Sequence, residues 1–546
     1  MGNPPRRRLR LGMASPPSEH AASARPAETL HHERRWLILA VLGLAQLMVV
    51  LDATIVNIAL PTAQQSLGFS NADRQWIVTG YALSFGSLLL LGGRISDMIG
   101  RKRALMIGLA GFGAASALGG FSTGFAMLLS ARVLQGAFGA LLAPAALAML
   151  TTTFTNPSER GRAFGIYGAI AASGGAVGLL LGGILTSYVS WRWTLFVNLI
   201  IGAVAMAGAA VLLTNSRATD RPRLDIPGVA TATAGLFALV YGFSHAETTS
   251  WDDNYTIGCL VAAAVLLAAF VAIERRASQP LLPLRIVVDR NRGGAFIAMF
   301  AAGAAMFATF LFLTYYMQGT LHYSPVVTGV AYLPMMAALI GSAQLATNIL
   351  LPRFGPKYMV VTGMGLAALG IFFFTFTGLH SDYVTGLLPG LIGFGLGFGL
   401  VTAPSMSVAT LGVHRDAGVA SALVNTSQQV GGSVGTSLFS TLGAATAYAL
   451  AHGTTATSAA SSQAQATLHG YHVVFAYAAI FLVVGAVVAG LLLRRGAMAS
   501  LAKVTIDGED AEDIEPVLTT AGDSGPWPIA DQGMSPTLPS VRPCST

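Results

Sequence analysis

The sequence alternates long apolar runs with short polar segments, and this alternation limits the possible folds more than any other feature. About 20 consecutive apolar residues are enough for an α-helix to cross the hydrocarbon core of a bilayer. Charged residues make up 10% of the chain, whereas a soluble domain has roughly 25%. We therefore predict an all-α membrane protein. Fourteen runs are long enough to span, at about 36–60, 76–96, 104–122, 125–150, 163–186, 193–213, 227–244, 255–273, 293–317, 326–350, 358–379, 383–408, 418–445 and 471–493.

The fourteen runs fall into three groups, and these groups suggest the domain organisation. Six runs come first, two follow, and six more complete the set. The two ends of the chain are polar and rich in Pro and Ser, a composition typical of disorder. The predicted organisation is a disordered basic cytoplasmic arm at 1–35, an N-terminal six-helix half at 36–213, an inserted helix pair with its flanking loops at 214–292, a C-terminal six-helix half at 293–493 and a disordered acidic tail at 494–546.

Four landmarks of the first group recur in the last group at nearly constant spacing. The pairs are Glu159 and Asp416, Gly174-Gly175-Ala-Val-Gly178 and Gly431-Gly432-Ser-Val-Gly435, Ala143-Pro144 and Ala403-Pro404, and Gly100 and Gly355, with offsets of 255 to 260 residues. Each match is weak alone, but four matches whose offsets agree within five residues indicate an internal repeat. Two parallel repeats of this kind are typical of secondary transporters.

The positions of Lys and Arg predict the orientation in the membrane. If the N-terminus is cytoplasmic, 28 of the 31 Lys and Arg residues lie on cytoplasmic segments. Arg74 and Arg192 lie on outer loops, and Arg132 lies within a predicted helix. Because cytoplasmic loops carry an excess of Lys and Arg, both termini are predicted to be cytoplasmic. The basic residues are scattered over short loops and form no single face, which argues against nucleic-acid binding.

Several kinds of chemistry lack their sequence signatures here. No GxxxxGK[ST] segment for Walker-type ATP binding occurs, and neither a nucleophile elbow nor an HExxH motif is present. No spaced His, Cys or Asp cluster suggests a metal site. Cys259 lies in an apolar run and Cys544 in the tail, too far apart in predicted membrane depth for a disulfide. We therefore predict no enzyme activity, no cofactor and no use of ATP.

Asp52 is a carboxylate inside the first apolar run, which holds no other charge between Trp36 and Pro61. A charged side chain at the centre of a membrane helix costs at least about 2.5–3.5 kcal/mol on insertion scales, so it is retained mainly where it pairs, faces a cavity or binds a proton. Arg132 is the other charge placed well inside the first half, and arginine keeps its proton in proteins. Two other interpretations remain open: an Asp52 that reaches the outer interface, and a fixed salt bridge.

Three segments resemble motifs of one transporter family. Leu51-Asp-Ala-Thr-Ile-Val-Asn-Ile-Ala-Leu-Pro61 is similar over all eleven residues to the first-helix signature of the 14-helix drug:proton antiporters of the major facilitator superfamily. Arg132-Val-Leu-Gln135-Gly136 resembles the proton-coupling arginine segment of that superfamily. The resemblance covers roughly residues 36–493. It implies a major facilitator fold of 14 transmembrane helices, as two six-helix halves plus a central inserted pair, with proton coupling at Asp52 and Arg132.

The third segment is the loop after the second run, which resembles the superfamily's most diagnostic motif, a gating motif. The matching residues are Gly93, Asp97, Gly100, Arg101 and Lys102. Glycines permit a tight turn and a close helix approach. The carboxylate can sit at the N-terminus of a neighbouring helix, expected near Gly418, because the helix dipole favours a negative charge there. The cations can pair with acids such as Glu159. The alternative is a positive-inside loop with no gating role.

The fifth run carries Gly174, Gly178 and Gly182 at intervals of four, so one helix face consists of bare backbone. Such a face can slide against a partner helix and act as a packing hinge. The segment resembles the antiporter motif of exporters, except that Leu179 stands where the family usually has proline. Ordinary helix packing is the alternative.

The sequence offers only candidates for substrate contacts. Asn425, Gln428 and Gln429 fall at positions i, i+3 and i+4, so they share one helix face. A polar face in an apolar helix can equally bond to another helix. The full set of cavity candidates is Tyr315, Tyr316, Gln344, Asn425, Gln428 and Gln429.

Together these features predict a bacterial exporter in the cytoplasmic (inner) membrane. It would expel hydrophobic small molecules by alternating access in exchange for protons, and so confer antibiotic or multidrug resistance. Since a single intramembrane acid would balance a dication poorly, we expect neutral or monovalent substrates. A monomer in the lipid bilayer is expected. Two alternatives remain open: a facilitator-type metabolite carrier or importer, and a non-transporting membrane sensor on the same fold.

Overall fold

The structure, a computed structural model, describes residues 26–154, 156–214, 225–277, 280, 282, 284–410, 417–453 and 459–494. These residues are almost entirely helical, and no strand occurs among them. Most of the predicted basic arm, nearly all of the acidic tail and Cys544 lie outside the described residues. Cys259 lies within the described part as a free cysteine.

The first part of the chain forms six helices. They are α1 (Pro26–Leu67), α2 (Asn71–Ile99), α3 (Arg101–Gly120), α4 (Phe125–Thr153), α5 (Pro157–Tyr188) and α6 (Trp193–Leu212). The first helix begins at Pro26, ten residues before the predicted start of the N-terminal half at 36. Proline favours the first position of a helix, because its missing N–H has no partner there anyway and its φ suits the helix. The helix therefore extends past the apolar run towards the N-terminus.

The pair predicted as an insertion consists of α7 (Ile226–Thr248) and α8 (Asn254–Arg276), which pack against each other. The remaining helices are α9 (Leu284–Val288), α10 (Arg290–Tyr315), α11 (Pro325–Ala331), α12 (Leu333–Leu345), α13 (Leu351–Phe354), α14 (Pro356–Phe373), α15 (Leu388–Thr410), α16 (Ala417–Gly453) and α17 (Ala459–Leu492). Three π-helical turns extend these helices, at Tyr316–Thr320, Ala346–Leu350 and Tyr383–Leu387.

Thirteen of the described helical segments are long and apolar enough to cross a membrane. The run predicted at 418–445 lies in α16, which is not among the thirteen although it is 37 residues long. This helix is rich in Ser, Thr and Gly, and Ser433, Thr436 and Ser437 are buried. Its neighbours α10, α17, α2 and α7 cover much of it, so it needs less apolar surface towards lipid. The helical membrane fold is confirmed, whereas the count of fourteen spans stays a prediction.

The repeated glycine segments, in α5 and in α16, each lie at a close contact between two helices. In the first half α5 packs along α1, and a Cβ added at Gly178 would lie 3.0 Å from the carbonyl oxygen of Leu51. In the second half α16 packs along α10, and a Cβ at Gly435 would lie 2.6 Å from the Cα of Ala304. Small residues let helix backbones approach closely in membranes. The 257-residue repeat therefore corresponds to two equivalent close helix pairs.

Gly100 and Gly355 also play the same role in both halves. Gly100 joins α2 to α3 with a φ of 101°, and Gly355 joins α13 to α14 with a φ of 76°. Residues with a side chain seldom adopt this backbone conformation, whereas glycine does so at little cost. Each glycine thus allows one helix to follow another without a loop.

The most extensive contacts between the two halves are those of α2 with α16 and of α5 with α11. Thr426 Oγ1 on α16 donates to the carbonyl of Gly86 on α2 at 3.1 Å. A Cβ at Gly183 on α5 would lie 2.8 Å from the Cα of Val326 on α11. Helix α7 packs against both α2 and α16, so the inserted pair lies beside the first of these contacts.

Candidate functional site

Asp52 and Arg132 form a buried ion pair in the first half. Arg132 Nη1 lies 2.6 Å from Asp52 Oδ2, and the two side chains are 2% and 0% exposed. The pair joins the middle of α1 to α4. A buried charge without a partner is strongly unfavourable, because it loses its hydration. The pairing thus explains how both charges are accommodated inside an apolar helix bundle.

Two amide side chains complete the surroundings of the Asp52 carboxylate. Gln135 Nε2 on α4 donates to Asp52 Oδ1 at 2.9 Å, and Asn198 Nδ2 on α6 donates to the same oxygen at 2.6 Å. Gln135 Nε2 also donates to Ser116 Oγ on α3 at 2.7 Å. Four helices therefore contribute to the site. Asp52 accepts hydrogen bonds in the manner of an ionised carboxylate.

Arg132 has partners besides Asp52. Its Nε donates to the carbonyl of Ile77 at 3.2 Å, and its Nη1 donates to Gln135 Oε1 at 2.7 Å. The guanidinium carbon lies 4.4 Å from the centre of the Tyr81 ring, a cation–π geometry. The arginine is thus held by three groups in addition to Asp52.

The glycine stripe of the fifth helix lies directly against the helix that bears Asp52. A Cβ at Gly174 would lie 3.3 Å from Val50 Cβ, and a Cβ at Gly182 would lie 2.9 Å from the carbonyl oxygen of Ile55. Gly178, between them, faces Leu51 and Thr54. The three predicted residues thus line α1 on both sides of Asp52. Their role as a hinge stays a prediction.

On the opposite side, α5 contacts the second half. Leu179, which stands at the position where the family usually has proline, is fully buried. A Cβ at Gly329 on α11 would lie 2.5 Å from the Leu179 carbonyl oxygen. Helix α5 is therefore held between the Asp52 helix on one side and the second half on the other.

The residues of the gating motif lie at the junction of α2 and α3. Asp97 Oδ1 lies 3.7 Å from Arg101 Nε, and Arg101 Nη1 donates to the carbonyl of Ala148 at 3.3 Å. Lys102 Nζ donates to the carbonyls of Ala210 and Leu213 at 2.8 and 2.7 Å, which caps the C-terminal end of α6. Residues 411–416 lie outside the described residues, so a contact between Asp97 and the start of α16 near Gly418 stays a prediction.

Two expectations for this motif were wrong in detail. The close approach of helices occurs at Gly92, where a Cβ would overlap the backbone of Ala140, while Gly93 has room for a side chain. Glu159 pairs with Arg35 at 2.6 Å and not with the cations of the motif. The start of α5 lies beside α1, where Arg35 is already within reach.

The predicted cavity residues do not converge on one described cavity. Tyr315 lines a cavity of about 550 Å³ together with Gln64 and Gln318, and its hydroxyl donates to Gln64 Oε1 at 2.6 Å. Tyr316 is fully buried and donates to the carbonyl of Gly378 at 2.6 Å, so it lines neither described cavity. Adjacent helical residues point about 100° apart, which separates the two tyrosines.

The remaining candidates lie on two helices of the second half. Gln344 on α12 is exposed, and Asn425 on α16 is exposed and donates to the carbonyl of Ser421 in its own helix. Gln428 packs by its backbone against Gly303 and by its amide against Met306 Sδ. Gln429 lies against Gly86 of α2. The last two therefore join helices, and substrate contacts for this set stay a prediction.

A second described cavity, of about 340 Å³, lies between α2, α4 and α7 of the inserted pair. Trp76 on α2 stacks on Phe237 of α7, with ring centres 6.1 Å apart, and donates from Nε1 to Ser244 Oγ at 2.8 Å.

No group of three or more His, Cys, Asp or Glu side chains able to hold a metal occurs in the part of the chain that the structure describes.

The sequence profile of the Major Facilitator Superfamily matches residues 42–436. The chain belongs to this superfamily. A bacterial homologue of the human lysosomal transporter Spinster, solved in an inward-facing and unoccupied conformation, matches with a TM-score of 0.59 over 89% of this chain and 99% of its own length. At 15% identity that likeness shows the fold alone. The superfamily fold is thus confirmed.

The similar curated proteins are antibiotic resistance and export proteins. A puromycin resistance protein of Streptomyces alboniger is 46% identical over 84% of this chain and 92% of its own length. A cephamycin export protein of Amycolatopsis lactamdurans is 38% identical over 73% of this chain and 83% of its own length. A tetracenomycin C resistance and export protein of Streptomyces glaucescens is 35% identical over 75% of this chain and 76% of its own length. The protein is a multi-pass membrane transporter of small molecules and not an enzyme.

Proposed function

We propose that this transporter exports a hydrophobic small molecule across the bacterial cytoplasmic membrane in exchange for protons, and so confers antibiotic resistance. The observation that best supports the proposal is the Asp52 carboxylate, fully buried in α1 and bonded to Arg132 at 2.6 Å. An ionisable group at membrane depth is retained for a function, commonly a proton relay. The names of the similar proteins support export and resistance.

The coupling follows from the change of charge at Asp52. When Asp52 takes up a proton, the attraction between the carboxylate and Arg132 is lost, while Arg132 keeps Ile77, Gln135 and Tyr81. The free energy of the α1–α4 contact therefore depends on the proton. A ligand shifts a conformational equilibrium only by its different affinity for the two states. A proton bound more tightly in one state than in the other is such a ligand.

Alternating access is supported by where the halves touch. In the orientation predicted from Lys and Arg, the contacts of Tyr315 with Gln64 and of Gln318 Nε2 with the Ile58 carbonyl lie at the outer end. These bonds join α10 and its extension to α1. They fit a state in which the outer end is closed, so that a substrate would enter from the cytoplasm or the inner leaflet.

The site sets an expectation for the substrate. Asp52 already has Arg132 as its counter-ion, so a dication would find no free negative charge at the pair. We therefore propose neutral or monovalent hydrophobic compounds, and puromycin is the first test compound because of the 46% identical relative. The protein is proposed to work as a monomer, with both termini cytoplasmic.

The test is uptake of puromycin into inverted membrane vesicles from a host without its own drug pumps. We expect accumulation driven by an imposed pH gradient, loss of accumulation with a protonophore, and no dependence on ATP. Asp52→Asn should abolish uphill transport. The matched control is Asp252→Asn, since Asp252 lies in the exposed turn between α7 and α8.

The outcomes separate the alternatives. Uphill transport by Asp52→Asn, or transport that follows ATP, would refute proton coupling at this site. Accumulation in right-side-out vesicles instead of inverted ones would indicate an importer or metabolite carrier. Resistance without any transport of puromycin, cephamycin or tetracenomycin C in purified vesicles would favour a sensor.

A further inference from the structure

Asn198 uses only half of its amide group. Its Nδ2 donates to Asp52 Oδ1 at 2.6 Å, while its Oδ1 is buried without a hydrogen-bond partner. The residue is 0% exposed on α6. A buried amide oxygen without a partner is unfavourable and rare in folded proteins, so its presence beside Asp52 calls for an explanation.

The other amide at the site, that of Gln135, has partners for both its oxygen and its nitrogen. Gln135 Oε1 accepts from Arg132 Nη1 at 2.7 Å, and Gln135 Nε2 donates to both Asp52 and Ser116. Rotating this amide by 180° would turn its NH₂ group towards the guanidinium, so that two donors would face each other. Gln135 is therefore fixed in one orientation by its contacts.

Asp52 needs an acceptor as soon as it is protonated. A carboxylic acid carries one O–H donor, whereas Arg132 has donors only and Gln135 presents its NH₂ group. Among the described residues that contact the carboxylate, Asn198 alone can offer an unused oxygen. The terminal torsion of asparagine is broad and roughly two-fold. A half-turn of the amide would bring Oδ1 to the place that Nδ2 now occupies, within hydrogen-bond distance of Asp52.

We propose that Asn198 is a positioning residue that follows the protonation state of Asp52, as donor to the carboxylate and, after a half-turn of its amide, as acceptor from the acid. The proposal rests on the proposed proton-coupled function. It gives the unpartnered Oδ1 a role, because the rotation breaks only the Asn198 bond that protonation weakens. Arg132 need not leave the site, since Tyr81, Ile77 and Gln135 hold it.

The surroundings leave few other groups to account for a pH response. Among the described residues, the charged or titratable side chains around Asp52 are Arg132 on α4 and Tyr81 on α2, whose ring lies beside the guanidinium. Helix α3 contributes the neutral Ser116, and α5 contributes Gly178 opposite Leu51 and Thr54. A pH-dependent change at Asn198 would therefore report Asp52.

Infrared difference spectroscopy between low and high pH tests the proposal on the purified full-length protein in lipid. The carbonyl band of a protonated acid that disappears in Asp52→Asn identifies Asp52. In Asn198→Leu this band should shift in frequency, because its acceptor is gone. Its pH midpoint should rise by about one pH unit, a tenfold change in proton affinity. The reason is that the lost bond to the ionised form is charge-assisted and stronger than the lost bond to the acid.

Asn57→Leu is the matched control, since Asn57 is a buried asparagine of α1 that bonds to the Ala53 carbonyl. Asn198→Ser, whose hydroxyl is too short to reach Asp52, replaces Asn198→Leu if that variant does not fold. A band unchanged in frequency and midpoint would overturn the role of Asn198 and leave the proposed function standing. Absence of any Asp52 band in the wild type across the pH range would overturn both.

Discussion

The guanidinium carbon of Arg74 lies 4.2 Å from the centre of the Tyr315 ring, so a cation on α2 is stacked against an aromatic residue on α10 of the other half. Phe312 adds a second ring at 5.3 Å. Cation–π contacts contribute about 0.5–1 kcal/mol when exposed and about 2 kcal/mol when desolvated. This contact therefore favours the closed arrangement of the end that we assign to the outer face.

Arg74→Ala should shift the protein towards an arrangement open at this end, by up to about tenfold, since about 1.4 kcal/mol corresponds to a factor of ten. Electron spin resonance distances between labels at the exposed residues Ser66 and Val384 would measure the shift. Arg103→Ala, an exposed arginine on α3, serves as the control. An identical distance distribution in Arg74→Ala and the wild type would contradict this prediction.

The buried ion pair of Asp52 and Arg132 predicts that substitutions affect thermal stability and proton-driven transport differently. Removing one partner of a buried pair costs about 3–5 kcal/mol, because the other charge is left uncompensated. Asp52→Asn and Arg132→Gln should each lower the unfolding temperature in detergent, and the double variant should recover much of the loss. Transport driven by a pH gradient should stay absent in all three. Uphill transport by the double variant would show that the pair is only structural.

Gly178→Val should destabilise the packing of α5 on α1. Its side chain would meet Thr54 and the Leu51 backbone, and overpacking of this kind costs about 1–3 kcal/mol. We expect a lower unfolding temperature together with impaired puromycin efflux. Gly168→Ala is the control on the same helix, because nothing lies within 4 Å of its added Cβ. Equal effects of the two substitutions would remove the special role of the glycine stripe.

Asp97→Asn should affect conformation more than stability. The Asp97–Arg101 pair is partly exposed, with side chains 38% and 19% exposed, and such pairs contribute about 0–1 kcal/mol. The unfolding temperature should therefore stay close to that of the wild type. Cysteine accessibility at the cytoplasmic ends should increase if Asp97 also binds the start of α16. Unchanged accessibility with normal efflux would indicate that the loop has no gating role and only sets the orientation in the membrane.

Much of the fold was predictable because membrane helices need long apolar runs, and these are visible in one sequence. The pairing of Asp52 with Arg132 was also open to prediction, since two isolated charges in an apolar half favour each other. The signal for Gln135 was available as well, because it lies three residues after Arg132 on the same helix face. Its bond to Asp52 follows from that geometry once the ion pair is accepted.

Other contacts depend on which helices become neighbours, and spacing alone does not contain that information. Asn198 reaches Asp52 only because α6 packs on α1. The sequence showed Asn198 as an amide in an otherwise apolar run, but it did not indicate which residue the amide contacts. Glu159 similarly had several cations within plausible reach, and the packing of α5 beside α1 selected Arg35.

The inserted pair is bound to both halves through two consecutive residues of α7. Ser244 accepts a hydrogen bond from Trp76 of α2, and the carbonyl of Phe243 accepts one from Thr441 of α16 at 2.8 Å. If transport moves α2 away from α16, helix α7 would have to lose one of these two bonds and stay with the other helix. Separating α2 from α16 would therefore carry an added cost, because the inserted pair is bonded to both of them.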